Sequence, residues 1–158
     1  MRLGDFILEE CIISELQAQS KPDTLAEIVA SVVQAGCVEP DTADSILEAL
    51  LRREEIGSTG IGHGVAIPHA KHEAVGRLVG AYAHSSRGVD FASFDGTPVK
   101  SVFLLLWPEG VIGPHLEAIA TVSLLLKRDG FLERLMTASD KRDIVSLFAE
   151  ADKADKEV

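Results

Sequence analysis

Apolar residues recur with a helical period in two segments near the N-terminus. From Asp23 to Ala35 they fall three and four positions apart, which predicts an amphipathic helix that Gly36 ends. The segment from Asp41 to Arg53 has the same spacing and predicts a second helix. The first third of the chain is therefore predicted to form two helices, each with one apolar face.

Apolar runs replace this helical spacing in the middle of the chain. Val65-Ala66-Ile67 predicts a short buried strand that ends at Pro68-His69, and Leu78 to His84 predicts another strand. Val102 to Trp107 is apolar without interruption, as is typical of a strand buried on both faces, and Trp107 is interpreted as packing at the strand end. We expect these strands to form the centre of the fold.

Helical spacing returns after Pro114, a residue that suits the first position of a helix. Asp129-Gly130 ends that helix, and shorter helices are predicted from Phe131 to Met136 and from Lys141 to Phe148. The order of helices, then strands, then helices predicts a small α/β sandwich with a mixed sheet.

The chain of 158 residues has the size of one domain, predicted to span residues 1–150, and residues 151–158 are predicted to be a charged, frayed tail. A net charge of −10 argues against direct binding to nucleic acid. Cys11 and Cys37 lie among apolar residues and indicate a reducing compartment. The apolar runs are too short to span a bilayer, so we expect a cytoplasmic protein without membrane insertion.

A glycine-rich stretch from Gly57 to Gly64 precedes the first predicted strand. Phosphate loops of nucleotide-binding proteins, and dinucleotide fingerprints as well, need glycines that lead into a helix, whereas these lead into a strand. Both nucleotide-binding interpretations therefore fail on structural context.

A metal site is a further alternative, and four of the five histidines are its candidate ligands: His63, His69, His72 and His115. In an extended chain, however, His63 and His69 would lie roughly 20 Å apart. No acidic or cysteine ligand completes a familiar spacing. A metal-dependent hydrolase would require stoichiometric metal in the purified protein.

His69 is the candidate nucleophile. Neutral imidazole can accept a phosphoryl group and release it again, and a residue just after a strand is accessible to protein partners. Phosphoryl oxygens would find donors in Arg53, in the hydroxyls of Ser58 and Thr59, and in backbone N–H groups among the glycines. His115 lies at a predicted helix start, which favours anions. Each residue also has a purely structural interpretation, as a packed histidine, solvated arginine, turn hydroxyl or helix cap.

The motif that joins these residues resembles the signature of the mannitol/fructose-type enzyme IIA domains of the bacterial phosphotransferase system, and it is most similar to the nitrogen-regulatory enzyme IIA. It consists of Arg53-Glu54, Ser58-Thr59-Gly60-Ile61-Gly62 and Gly64-Val65-Ala66-Ile67-Pro68-His69. Phe91 to Val99, Leu104 to Pro108 and His115-Leu116 extend the resemblance over nearly the whole chain.

The resemblance implies a mixed sheet with helices on both faces, and no metal or organic cofactor. His69 matches the histidine that accepts a phosphoryl group through Nε2 from HPr or a nitrogen-branch paralogue of HPr. His115 matches the second active-site histidine, Arg53 the arginine that holds the phosphoryl group, and Thr59 a pocket hydroxyl. We expect the phosphate pocket to comprise Ser58, Thr59, Gly62, His63 and Gly64. His63 departs from the family, which usually has asparagine there.

Three functions follow from this resemblance. The first is a regulatory phosphocarrier whose phosphorylation state decides which target proteins it binds, and the absence of IIB or IIC segments in this chain favours it. The second is a sugar-transport enzyme IIA that passes the phosphoryl group to a IIB domain. The third is a non-catalytic binding module of the same fold.

Overall fold

A six-stranded mixed sheet with helices on both faces forms the fold, as predicted, in the computed structural model, which describes residues 1–155. The sheet order is β1-β5-β6-β3-β2, and β4 also pairs with β6, beyond β3. The strands are β1 (Ile7–Ile13), β2 (Gly60–Gly62), β3 (Val65–Ala66), β4 (His69–His72), β5 (Val79–Val89) and β6 (Val99–Pro108). The helices are α1 (Lys21–Gln34), α2 (Ala43–Ile56), α3 (Pro114–Leu126), α4 (Phe131–Thr137) and α5 (Lys141–Ala154), with short 3-10 helices at Leu3–Asp5 and Pro40–Thr42.

Alternate residues of β6 face opposite sides of the sheet and divide the core in two. Val102, Leu104 and Leu106 pack against the apolar faces of α1 and α2. Phe103 and Leu105 pack on the other side, with α3, α4 and α5. Burial on both faces explains why this strand is apolar without interruption from Val102 to Trp107, and its prediction is confirmed.

Gly36 ends α1 as predicted. Its φ of 77° lies in the left-handed region, where glycine has no steric penalty. The N–H groups of Gly36 and Cys37 bond back to the carbonyls of Val33 and Val32, which is the Schellman arrangement of a helix C-terminus. The other predicted helices are also present, with ends that differ by up to six residues.

Three strands were absent from the prediction, namely β4, which is described below, and the strands β1 and β2. In β1 the exposed pair Glu9 and Glu10 interrupts the apolar alternation, and the register with β5 shifts across the same segment. In β2 two of the three residues are glycine, which predicts a turn rather than a strand. Strand β1 is held by β5, a neighbour remote in sequence, whereas β2 forms a tight hairpin with β3 and is concealed by its glycines.

The C-terminal segment corrects the predicted frayed tail. Helix α5 passes residue 150 and continues to Ala154. Ala151 is buried against the core, and the carboxylate of Asp152 accepts backbone N–H bonds from Leu3 at 2.8 Å and Gly4 at 2.9 Å. These contacts bind the last helix to the N-terminus. Residues 156–158 of the predicted tail lie outside the described residues.

The chain around His69 also differs from the prediction. Instead of following a strand, His69 begins one, β4, and pairs with Leu105 of β6. Pro68 separates β3 from β4 because it has no N–H for the sheet, but its carbonyl still accepts from Leu105 at 2.9 Å. The backbone at His69 is thus fixed by β6, which contacts both His69 and the preceding proline.

Candidate functional site

Four elements meet around an open cavity of about 700 Å³. They are the last turn of α2, the start of β4, the end of β6 and the start of α3. Arg53, His69 and His115, which lie 62 residues apart from first to last in sequence, all line this cavity. The structure therefore brings together the three residues that the sequence analysis ranked first.

His69 presents one ring nitrogen to the cavity in a defined state. Its Nδ1 lies 2.8 Å from the carbonyl oxygen of Ile67, which can only accept, so Nδ1 carries the proton. Burial lowers the pKa of His69; the bond to Ile67 opposes this, and the positive charge of Arg53 adds to the lowering. Near neutral pH the ring is therefore neutral, with its lone pair on Nε2.

Arg53 has hydrogen-bond donors that are available to a ligand. It lies half-buried in the last turn of α2, where Nη1 donates to the carbonyl of Gly57 at 2.8 Å. Within residues 1–155 no carboxylate lies within 4.0 Å of its guanidinium, since the adjacent Glu54 pairs with Lys21 at 2.8 Å. The other guanidinium nitrogens remain available to an anion.

The wall of this cavity is basic, although the whole chain carries a net charge of −10. Its charged lining residues are Arg52, Arg53, Lys71 and a single carboxylate, Glu109. The N-terminus of α3, which begins at Pro114, opens beside them and adds the positive end of a helix dipole. Such a wall attracts phosphate-like anions.

His115 is the second residue of α3 and is half-buried. Its Nδ1 is buried and has no hydrogen-bond partner among the residues that the structure describes. Its ring is instead stacked on the indole of Trp107, with centroids 4.0 Å apart and planes 4° apart. Hydrogen bonding orients the ring of His69, whereas aromatic contact orients the ring of His115.

Trp107 is the residue whose contacts with the two histidines the sequence analysis missed. It lies near the end of β6, is 8% exposed, and also stacks on His69, with centroids 5.9 Å apart. The sequence placed it at a strand end but gave no sign that the next helix would bring His115 onto its face. A large aromatic residue eight positions before a predicted helix-start histidine was the only available signal.

The hydroxyls of Ser58 and Thr59 do not reach the cavity, contrary to expectation. Thr59 is 5% exposed, and both its hydroxyl and its N–H donate to the carboxylate of Glu54. Ser58 donates its hydroxyl proton to the carbonyl of Phe91 and accepts from the N–H of Gly60 at 3.0 Å. These hydroxyls join α2 to the sheet instead of facing an anion.

The turn Gly62-His63-Gly64, which we call the hairpin end, also lies away from the cavity, which corrects its predicted place in the phosphate pocket. It connects β2 to β3, and the carbonyl of Gly64 pairs with Ser101, four residues before the partner of His69 on β6. Four residues of strand span roughly 13 Å. The His63 side chain is exposed, and its N–H donates to the Asp95 carboxylate at 3.0 Å.

The positive φ of 57° at His63 explains its departure from the family's asparagine. Asparagine and histidine are both enriched in this left-handed region relative to other residues with a side chain. The substitution therefore meets a backbone requirement of the hairpin end, and it does not alter the donors around His69.

Other candidate chemistry was sought within residues 1–155. No group of three or more histidine, cysteine or acidic residues is placed to hold a metal, and both ring nitrogens of His72 are engaged, by Ser45 and Ala74. Cys11 is buried, which raises its thiol pKa to about 12, and Cys37 is half-buried. No helix there has both the length and the apolarity needed to span a membrane.

Comparison with known proteins agrees with this geometry. The family model for the phosphoenolpyruvate-dependent sugar phosphotransferase system, EIIA 2, matches residues 5–151. A nitrogen regulatory protein of Bradyrhizobium diazoefficiens is 36% identical over 149 residues, covering 94% of this chain and 95% of that protein. A fructose-specific EIIA component of Haloferax volcanii is 35% identical over 141 residues, covering 89% and 90%.

The fold has a similar match among solved structures. The crystal structure of the nitrogen regulatory protein IIA-Ntr from Neisseria meningitidis superposes with a TM-score of 0.82 at 30% identity, covering 92% of this chain and 98% of that one. The family model, the two relatives and the fold agree over nearly the whole length. This chain belongs to the EIIA 2 family of the phosphoenolpyruvate-dependent sugar phosphotransferase system, the mannitol/fructose type.

Proposed function

We propose that this protein is a cytoplasmic phosphohistidine carrier that accepts a phosphoryl group on Nε2 of His69 from HPr or an HPr-like protein. The observation that carries the proposal is the bond from Nδ1–H to the carbonyl of Ile67. It fixes the proton on Nδ1 and directs the Nε2 lone pair outward. A lowered pKa keeps that lone pair available at neutral pH.

In the proposed step, the Nε2 lone pair forms an N–P bond while the N–P bond to the donor histidine breaks, and the electron pair of that bond returns to the donor. The transition state is loose, so positioning and charge stabilisation account for most of the catalysis. Arg53 binds the equatorial oxygens with its unused guanidinium nitrogens. His115 and the start of α3 stabilise the same charge from the other side.

A protein donor is supported by the rim of the cavity. Four apolar side chains there are exposed, namely Ile56 at 84%, Val111 at 43%, Ile112 at 86% and Leu116 at 57%. Exposed apolar residues grouped around a reactive residue are typical of a protein-docking surface. We propose that the donor, and any later partner, contacts this rim.

We further propose that the carrier is regulatory, so that its phosphorylation state decides which target it binds. The similarity to a nitrogen regulatory protein along nearly its whole length supports this. Nearly two added negative charges beside an apolar rim would disrupt or create a partner surface. The other candidate is a transport carrier that passes the phosphoryl group to a IIB domain, which the comparable similarity to a fructose-specific EIIA component favours.

The test is incubation with enzyme I, HPr and phosphoenolpyruvate, followed by intact mass measurement at neutral pH. We expect a gain of one acid-labile phosphoryl group that is absent in His69→Ala. His72→Ala is the matched control, because His72 is a histidine on the same strand and is already bonded to Ser45 at 2.9 Å. It should accept the group as the wild type does.

The acceptor distinguishes the two roles. Transfer from the phosphorylated protein to a fructose-type IIB domain would support transport, whereas retention of the group in its presence would support regulation. If no group is gained with HPr or with a nitrogen-branch donor pair that phosphorylates its own enzyme IIA, the carrier proposal is wrong. The protein would then be a binding module of this fold.

A further inference from the structure

We propose that Trp107 is a positioning residue for phosphoryl transfer, which it serves by holding the His115 ring in the plane that faces the phosphoryl group of His69. The inference rests on the proposed carrier function and deepens it. It begins from the difference between the two histidines, since a hydrogen bond fixes the His69 ring, whereas Nδ1 of His115 has no partner among residues 1–155.

The backbone alone does not orient His115. As the second residue of α3 it has a fixed Cα, but rotation about its side-chain bonds is opposed by no hydrogen bond at Nδ1 within the described part of the chain. Terminal torsions of this kind are broad when nothing restrains them. Something else must define the direction in which the Nε2 side of the ring points.

The indole of Trp107 supplies that restraint. The two rings are 4.0 Å apart and within 4° of parallel, which is face-to-face van der Waals contact. A ring held flat against an indole cannot tilt without losing that contact. Because Cβ is fixed by the helix, fixing the plane of the imidazole limits its orientations to one and the flipped form of that one.

Trp107 is itself rigid enough for this task. It is 8% exposed, and within the β4–β6 ladder it pairs with Lys71, two residues after His69. The same indole lies against the His69 ring, with centroids 5.9 Å apart and planes 26° apart. One side chain on a central strand thus lies beside both imidazoles, but it restrains only His115, because the His69 ring is already fixed by its bond to the Ile67 carbonyl.

The chemical consequence concerns alignment. A donor to phosphoryl oxygens is effective only when its geometry is already correct, and misplacement by about 1 Å can cost up to roughly a hundredfold in rate. Trp107 therefore acts on the reaction only through His115 and does not touch the reacting atoms.

The experiment is a double-mutant cycle on the rate of transfer from phosphorylated HPr to His69, measured in a single turnover. Trp107→Leu should lower the rate about tenfold, and Trp107→Phe, which retains a flat ring, should recover most of it. In a His115→Ala background Trp107→Leu should have no further effect. Equal losses in both backgrounds, or no loss in either, would overturn the inference while leaving the carrier function intact.

A second measurement tests the stack itself and does not depend on transfer. Ring-current shielding by the indole should shift the His115 ring protons upfield in the NMR spectrum of the wild type, and Trp107→Leu should remove that shift. The same spectra show whether Trp107→Leu is folded. Unshifted His115 signals in the wild type would contradict the proposal, and a wild type that accepts no phosphoryl group would overturn both this inference and the carrier function.

Discussion

The two ends of the β3–β4 segment carry similar residues but use them differently. At the hairpin end, backbone polar groups are paired: the His63 N–H bonds to a carboxylate and the Gly64 carbonyl to backbone N–H groups. At the cavity end, polar groups remain available to a ligand, because His69 presents Nε2 and Arg53 makes one bond to a backbone carbonyl. One continuous motif therefore combines structural residues with chemically available ones.

Polar groups are also paired in the cluster formed by Lys21, Glu54 and Thr59. The buried Glu54 carboxylate accepts from Lys21, from the N–H of Thr59 and from the Thr59 hydroxyl. The Glu54 carboxylate is thus occupied by Lys21 and Thr59, whereas Arg53, the preceding residue of α2, makes one bond to the Gly57 carbonyl and keeps its other donors available. The comparison teaches that neighbouring charged residues of one motif can serve different ends, since Glu54 stabilises the fold and Arg53 faces the cavity.

The largest effect should come from breaking the cavity end. Arg53→Gln should lower the rate of phosphoryl transfer to His69 about a hundredfold, because it removes charged donors from the developing oxyanions. Rapid-quench measurement with phosphorylated HPr is the test.

Arg52→Gln is the matched control, since Arg52 lines the same cavity but is paired with Glu48 on an exposed helix face. It should change the rate less than about threefold, as exposed ion pairs contribute little. Equal losses in both variants would mean that general charge, not Arg53 itself, is what matters.

The next effect concerns stability instead of rate. Thr59→Val should lower the free energy of unfolding by about 2 kcal/mol, because it leaves a buried carboxylate oxygen of Glu54 without its donor. Denaturant unfolding measures the loss, and Thr59→Ser, which keeps the hydroxyl, should restore most of it. The folded variant should still accept a phosphoryl group at the wild-type rate. A slower transfer without a loss of stability would show that the hydroxyl serves the phosphoryl group after all.

A smaller effect is expected on the titration of His69. Its pKa is lowered, so the neutral ring that accepts the group persists above that pKa and is lost as the pH falls through it. Arg53→Gln removes one cause of the lowering, the nearby positive charge, and should therefore raise the pKa of His69. An NMR titration of the His69 ring measures this, with Arg52→Gln as the control. A pKa that moves down in Arg53→Gln would contradict the assigned cause.

Sequence reasoning reached the parts of this site that local chemistry encodes. The spacing of apolar residues predicted α1 and its end at Gly36, and the uninterrupted run from Val102 predicted β6. The motif and its extension singled out Arg53, His69 and His115, which the fold brings to one cavity. The roles of these residues in transfer stay predictions.

What sequence could not supply was contact between remote segments. Lys21 pairs with Glu54 across 33 positions, and this pairing occupies the carboxylate that holds Thr59. The stack of Trp107 on His115 likewise depends on how α3 returns to the sheet after β6. Residues that are close in the sequence of the motif can also be far apart in the fold. Strands β3 and β4 place the hairpin end and the cavity end at opposite ends of the sheet.

The smallest effect, which sharpens the comparison most, is expected at His63. His63→Asn places another residue tolerant of positive φ at 57°, so stability should change by less than about 0.5 kcal/mol and the transfer rate should not change. His63→Val is the matched opposite, since a β-branched residue strains that backbone and should cost about 1–2 kcal/mol, again without slowing transfer by the folded protein. Denaturant unfolding and single-turnover transfer of both variants separate the two properties. A rate that changes in His63→Asn would mean that the hairpin end communicates with the cavity, because an exposed side chain roughly 13 Å along the sheet has no direct contact through which to act.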